Sequence, residues 1–194
     1  MTSPVIPFTL SRMTLRRWNV FSACLLLSTA LWIGLSRDPT EPSSHNQPAV
    51  PQQGFAAPDF TLETLSGEQI TLTDLRGHPI ILNYWASWCL PCRSEMPAIQ
   101  AAFAAYRDKG LVILAVNATD QDSLAEVRSF VTEYSLSFPI LIDTDGKVGG
   151  LYQVKALPTT FFIQPDGVIL EVVIGGPMAE ALLLTRIDRL LGGR

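Results

Sequence analysis

Between residues 55 and 194 two kinds of apolar spacing alternate. Apolar side chains recur at helical intervals in Ala98, Ile99, Ala102, Phe103 and Tyr106, and again in Leu124, Val127, Phe130, Val131 and Tyr134. A third such set, Leu182, Leu183, Ile187, Leu190 and Leu191, predicts a closing helix that buries these leucines and the isoleucine. Pro97 is expected to bend the first of the three helices. Residues 79–85 and 111–116 are instead apolar at consecutive positions, as strands covered on both faces must be. Residues 139–142 predict a shorter strand, ending at a turn, Asp143-Thr144-Asp145-Gly146. That aspartate pair lacks the later ligands of a calcium loop. Two hairpins complete the pattern: residues 60–65 and 69–72 around Ser66-Gly67, and residues 160–163 and 168–174 across Gln164-Pro165-Asp166-Gly167. Short strands alternating with helices predict an α/β layered domain over 55–194.

Ahead of this domain the pattern changes twice. Residues 18–35 form an almost unbroken apolar run preceded by Arg12, Arg16 and Arg17, about as long as the ~17–25 residues a spanning helix needs. The basic flank then places residues 1–17 in the cytoplasm, residues 18–35 as a transmembrane signal anchor, and everything after them on the extracytoplasmic side. A signal peptide cleaved near Ser28 and Ala30, releasing a secreted domain, is the competing reading. Leu31-Trp32-Ile33-Gly34-Leu35 continues the apolar run past those residues and favours a retained anchor. Residues 36–54, with Pro39, Pro42, Pro48 and Pro51 among polar side chains, read as a flexible Pro-rich linker.

Charge follows the same division. The first 37 residues carry four arginines and no acid, whereas all 18 acidic residues lie in the remainder. No basic patch marks that remainder, so a nucleic-acid partner is not expected.

The candidate chemistry sits at Trp88-Cys89-Leu90-Pro91-Cys92. Two thiols three positions apart can make and break one disulfide reversibly, and here they follow a strand and open a helix. Unpaired N–H groups at a helix start stabilise a thiolate, which makes Cys89 the attacking sulfur and Cys92 the resolving one. Pro91 suits a first helical turn. The other use of a C-x-x-C pair, half of a zinc site, needs two more ligands. Cys24 lies in the apolar run, His45 in the linker and His78 just before a buried strand, so that use is disfavoured.

Ala57-Pro58-Asp59-Phe60, the run from Asn83 to Pro97, and Val154-Lys155-Ala156-Leu157-Pro158-Thr159-Thr160-Phe161 resemble together the TlpA/ResA-like membrane-anchored thiol-disulfide oxidoreductases of thioredoxin fold. The resemblance covers residues 55–194. It implies a central mixed sheet flanked by helices, with an N-terminal β-hairpin extension. It implies a cis peptide before Pro158, beside the sulfurs, and a substrate groove formed with Leu157. Trp88, Leu90 and Pro91 are the further candidates for substrate contact, while Trp85 is expected in the core. Glu95 lies one helical turn beyond Cys92, where related proteins carry an acid near the disulfide. It is either a proton shuttle for the inner thiol or a glutamate that complements the helix dipole. Thioredoxin itself has a buried aspartate at the position of Asn83, and asparagine cannot carry a proton, which moves that burden to Glu95.

The resemblance further implies an extracytoplasmic protein-disulfide reductase acting on exported cysteine pairs, notably those of apocytochromes c. Its electrons would come from a membrane donor of the CcdA or DsbD type. The Cys89–Cys92 disulfide is then the redox group, and no separate cofactor or metal is expected. A disulfide oxidase or isomerase of the same fold is the alternative. A copper chaperone fits less well, since no histidine follows His78, and a helix-start cysteine pair argues against a thiol peroxidase.

Overall fold

The computed structural model describes residues 22, 24–29, 32 and 49–192. Residues 22, 24–29 and 32 are helical, and among the described residues no helix is long and apolar enough to cross a membrane. The expected cytoplasmic segment, most of the expected anchor and most of the linker lie outside the described residues. Two compact units divide between Ser43 and Ser44, and the second carries the fold.

That unit contains β1 (Thr61–Glu63), β2 (Gln69–Thr71), β3 (Ile80–Trp85), α1 (Leu90–Tyr106), β4 (Val112–Asn117), α2 (Leu124–Glu133) and β5 (Ile140–Ile142). It continues through α3 (Lys147–Leu151), β6 (Thr159–Ile163), β7 (Ile169–Ile174) and α4 (Glu180–Gly192). The central sheet has the order β5-β4-β3-β6-β7, with β3, β4 and β5 parallel and β6 and β7 antiparallel to their neighbours. This is the mixed sheet expected from the resemblance. The β1–β2 hairpin forms a separate antiparallel pair. It is tied to the edge strand by the Leu65 N–H, which donates to Ile140 O at 2.8 Å. Backbone bonding of the domain also reaches back into residues 49–54, where Val50 N–H donates to Ala56 O and Gly54 N–H to Ile169 O.

All six β3 side chains are buried, because the strand is covered on both faces. Its two-residue period sorts them. Ile81 and Trp85 pack with Met96 and Ile99 of α1, Val127 and Phe130 of α2, and Leu183 and Ile187 of α4. Ile80, Leu82 and Tyr84 pack on the opposite side with Phe60, Leu72, Val148 and Phe161. Each fully buried Leu, Ile or Phe contributes roughly 1.5–3 kcal/mol by area, so the sheet supports a core on each face. Asn83 shares the parity of Ile81 and Trp85, which aims it at α1.

Two details depart from the pattern reading. Leu182 is 54% exposed and Leu191 only half-buried, since Leu183, Ile187 and Leu190 already define the stripe that faces the sheet. Helix α3 was not anticipated, being five residues long with two glycines. It forms over the buried Asp143, whose carboxylate accepts from Tyr84 Oη at 2.7 Å, Gly149 N at 2.8 Å and Val148 N at 3.3 Å. The expected turn at 143–146 is therefore also a capping site.

Candidate active site

Strand β3 ends at Trp85, and after three intervening residues the chain enters α1 with Cys89 as its N-cap. The Cys92 N–H donates to Cys89 Sγ at 3.2 Å, so the sulfur occupies the place of a capping oxygen. Pro91 stands in the first turn, where a missing N–H costs no helical bond. The two cysteines are joined in a disulfide, with S–S 2.09 Å and Cα–Cα 5.2 Å. Cys89 keeps 5% exposure and Cys92 none, which makes Cys89 the sulfur that a partner can approach.

The loop before Cys89 is held from the β4–α2 connection. Ser87 donates twice to Asp122, through N–H to Oδ2 and through Oγ–H to Oδ1, each at 2.7 Å. Asn117 Nδ2 donates to Asp122 Oδ2 at 3.0 Å, and Ser123 N–H to Oδ1 at 2.9 Å. Burial pushes the Asp122 carboxyl up, but these donors outweigh it and hold the group below the ordinary carboxylate range. The Trp88 indole N–H donates to Gln121 O at 3.0 Å, and Arg93 Nη1 to Ser87 O at 3.3 Å. None of this was read from the sequence, where Asp120-Gln121-Asp122-Ser123 resembles any polar turn with a helix cap.

Glu95 is on the second turn of α1 and almost wholly buried. Asn83 Nδ2 donates to its Oε1 at 2.9 Å and Met178 N–H to its Oε2 at 3.1 Å. Burial raises its pKa above the ordinary value, and the two donors only partly offset the shift. An exposed glutamate serving the helix dipole is thereby excluded. The Leu157–Pro158 peptide is cis, and Pro158 is buried. A Cβ at Gly176 would lie 2.8 Å from Pro158 Cγ and 3.0 Å from Glu95 Oε2, so the β7–α4 connection closes over both. Gly176 and Met178 had no signature in the sequence.

Trp88 and Leu90 are 55% and 76% exposed beside the disulfide, whereas Trp85 is fully buried. With Cys89, Pro91 and Leu157 they border an open groove of about 790 Å³, floored by Tyr84. Such a surface offers apolar contact to a polypeptide whose disulfide reaches Cys89. Among the described residues no group of three or more His, Cys, Asp or Glu side chains could hold a metal ion.

Residues 54–172 match the model of the AhpC/TSA family. The thioredoxin-like protein YneN of Bacillus subtilis is 46% identical over 125 residues, covering 64% of this chain and 72% of that protein. The thiol-disulfide oxidoreductase ResA of Bacillus subtilis is 39% identical over 131 residues, covering 68% of this chain and 72% of ResA. The crystal structure of a putative thiol:disulfide interchange protein DsbE from Chlorobium tepidum superimposes with a TM-score of 0.67 at 33% identity, over 73% of this chain and 99% of that one. With a helix-start cysteine pair, a thioredoxin-like sheet and relatives of this kind, the chain belongs to the AhpC/TSA family, as a thiol-disulfide oxidoreductase of the ResA type.

Proposed function

We propose that the protein is a membrane-tethered, extracytoplasmic reductase of disulfides in exported proteins, with the cysteine pairs of apocytochromes c as a client class. The asymmetry of the disulfide is the observation that carries this reading: Cys89 borders an open groove with apolar walls, and Cys92 lies beneath it, one turn from a buried acid. The reduced protein attacks through the Cys89 thiolate, stabilised by the helix start. A bond forms between Cys89 and one client sulfur, and the client disulfide breaks. Glu95 takes the Cys92 proton, Cys92 attacks Cys89, and the client leaves as a dithiol while the protein closes its own disulfide. Trp88, Leu90, Pro91 and Leu157 form the contact surface for the client chain, while Pro158, buried next to Leu157, does not line the groove. No cofactor beyond the cysteine pair is required, and a membrane donor of the CcdA or DsbD type returns the electrons. The apolar run at 18–35 anchors the protein, and the Pro-rich segment after it gives the domain reach.

Trapping tests the reading. In Cys92→Ser the mixed disulfide through Cys89 cannot be resolved and accumulates with the client, which mass spectrometry identifies. Cys89→Ser forms no adduct. Equal residual turnover in the two variants contradicts the assigned roles, and a reduction potential as high as that of a dedicated oxidant, near −120 mV, contradicts the reductive direction.

A further inference from the structure

Glu95 is enclosed by segments distant in sequence, and each carboxylate oxygen faces one donor. Asn83 Nδ2–H points at Oε1 and the Met178 N–H at Oε2. The same Asn83 nitrogen donates to Thr160 Oγ1 at 2.9 Å, and Asn83 Oδ1 is a buried acceptor with no donor among the described residues. This arrangement suits a carboxylate. It offers no acceptor to the proton of a carboxylic acid, because both facing groups already carry hydrogen. One of the two is backbone and cannot change its sense. The other is a primary amide, whose two ends are alike in shape and opposite in hydrogen-bonding role. Turned over, the Asn83 amide would set Oδ1 where Nδ2 now lies, within reach of the Glu95 carboxyl and the Thr160 hydroxyl, both able to donate.

We propose that Asn83 is a positioning residue for Glu95 whose amide turns over with the proton, presenting NH2 to the empty carboxylate and Oδ1 to the loaded carboxyl. The proposal rests on the reading that Glu95 accepts the Cys92 proton during resolution. In that step the S–H proton passes to Glu95, the Cys92–Cys89 bond forms, and the client–Cys89 bond breaks with its electron pair leaving on the client sulfur. The sheet register sets Asn83 opposite Thr160, so the amide and the hydroxyl that exchange roles are paired across β3 and β6. The groups facing Glu95 are the Asn83 amide from β3, the Met178 N–H and Gly176 from the β7–α4 connection, and Pro158 ahead of β6. Cys92 precedes it by one turn on its own helix, and among the described residues no charged side chain acts on it. Among the described residues, Asn83 is the one partner able to change its sense.

Resolution can be watched in the full chain carrying Cys24→Ser, so that no third thiol reacts, reduced in detergent micelles and mixed with dithiobis(nitrobenzoate). One thionitrobenzoate leaves as Cys89 is capped, and a second as Cys92 displaces it, so the pH midpoint of the second phase reports the proton acceptor. Asn83→Ala removes the donor that favours the empty carboxylate. The midpoint then moves to higher pH, and the second phase slows up to about tenfold below it for each pH unit of movement, with the first phase unchanged. Asn83→Asp sets a second acid against Glu95, and the pair shares one proton, moving the midpoint further and splitting the profile into two steps. Unmoved midpoints in both variants, with a native first phase, overturn the proposal and leave the exchange chemistry standing. Absence of a second phase in the native protein overturns the exchange reading and the proposal with it. Should Asn83→Ala fail to fold, the Asn83 side-chain amide resonance in the native protein decides. It shifts with the Glu95 midpoint and loses that shift in Glu95→Gln, whereas an amide that does not respond overturns the proposal.

Discussion

Removing the Asp122 carboxylate measures how firmly the Cys89 loop is held. Of its four donors, the Ser87 N–H, the Ser87 hydroxyl and the Asn117 amide belong to buried residues, while Ser123 is exposed and can turn to water. Asp122→Ala leaves at least the Ser87 N–H and the Asn117 amide without an acceptor. Each orphaned buried donor costs ~1–3 kcal/mol, so the variant loses about 2–6 kcal/mol at neutral pH. Asp122→Asn keeps the shape and one accepting oxygen but turns an NH2 toward donors, and its loss is smaller, about 1–2 kcal/mol. The acid dependence has a definite sign. Because the folded carboxyl titrates below its ordinary value, its contribution is present above the unfolded value of ~3.9 and disappears as pH falls through the folded one. Urea denaturation of the oxidised protein at neutral and at acid pH therefore shows the Asp122→Ala penalty shrinking in acid. Fluorescence of Trp88, whose indole N–H is tied to the same connection, changes in the native baseline of the variant. A variant within about 0.5 kcal/mol of the native protein at neutral pH would falsify the view that these bonds fix the loop.

Two further outcomes follow from the same packing. Gly149→Ala places a Cβ 2.5 Å from Tyr84 Oη, and that hydroxyl cannot retreat without breaking its bond to the buried Asp143, so overpacking costs about 1–3 kcal/mol by urea denaturation. A Tyr84→Leu background, which removes Oη and also the Cζ that would lie 2.8 Å from that Cβ, relieves the clash, and a penalty for Gly149→Ala that is the same in both backgrounds would refute the contact. Glu95 titrates above its unfolded value, so its stabilising effect is complete below ~4.3 and is lost as pH rises through the folded value. Glu95→Gln removes that loss, and its stability relative to the native protein climbs with pH. A flat difference between about pH 4 and 8 would refute the raised pKa, because it requires Glu95 to titrate alike in the folded and unfolded states.

The half of the site that lies in one stretch of chain was legible in the residues, because its chemistry is local. A cysteine three positions before another, a proline between them and an acid one turn further on have fixed relations within any helix, whatever packs against it. Alternation in β3 likewise carries Asn83 to the face of α1, although its meeting with Glu95 depends on the pairing of separate elements. The other half is made of backbone and of loop acids whose roles depend on where the chain returns. Met178 donates to Glu95 across 83 positions, and Asp122 receives Ser87 across 35, and neither an N–H nor a loop aspartate advertises such a use. Leu182 was misplaced for a related reason: counting apolar residues gives a helix, but only the phase of Leu183, Ile187 and Leu190 against the sheet decides which leucine is left outside. The same dependence explains why Glu95 could be named without its role being decided. Its distance from Cys92 is a property of the helix, whereas its burial, and hence its raised pKa, is made by the β7–α4 connection closing over Pro158. A glutamate at this position on a helix left uncovered would serve the dipole alone, so under the proposed mechanism the proton chemistry of the inner cysteine depends on residues far from the cysteine motif.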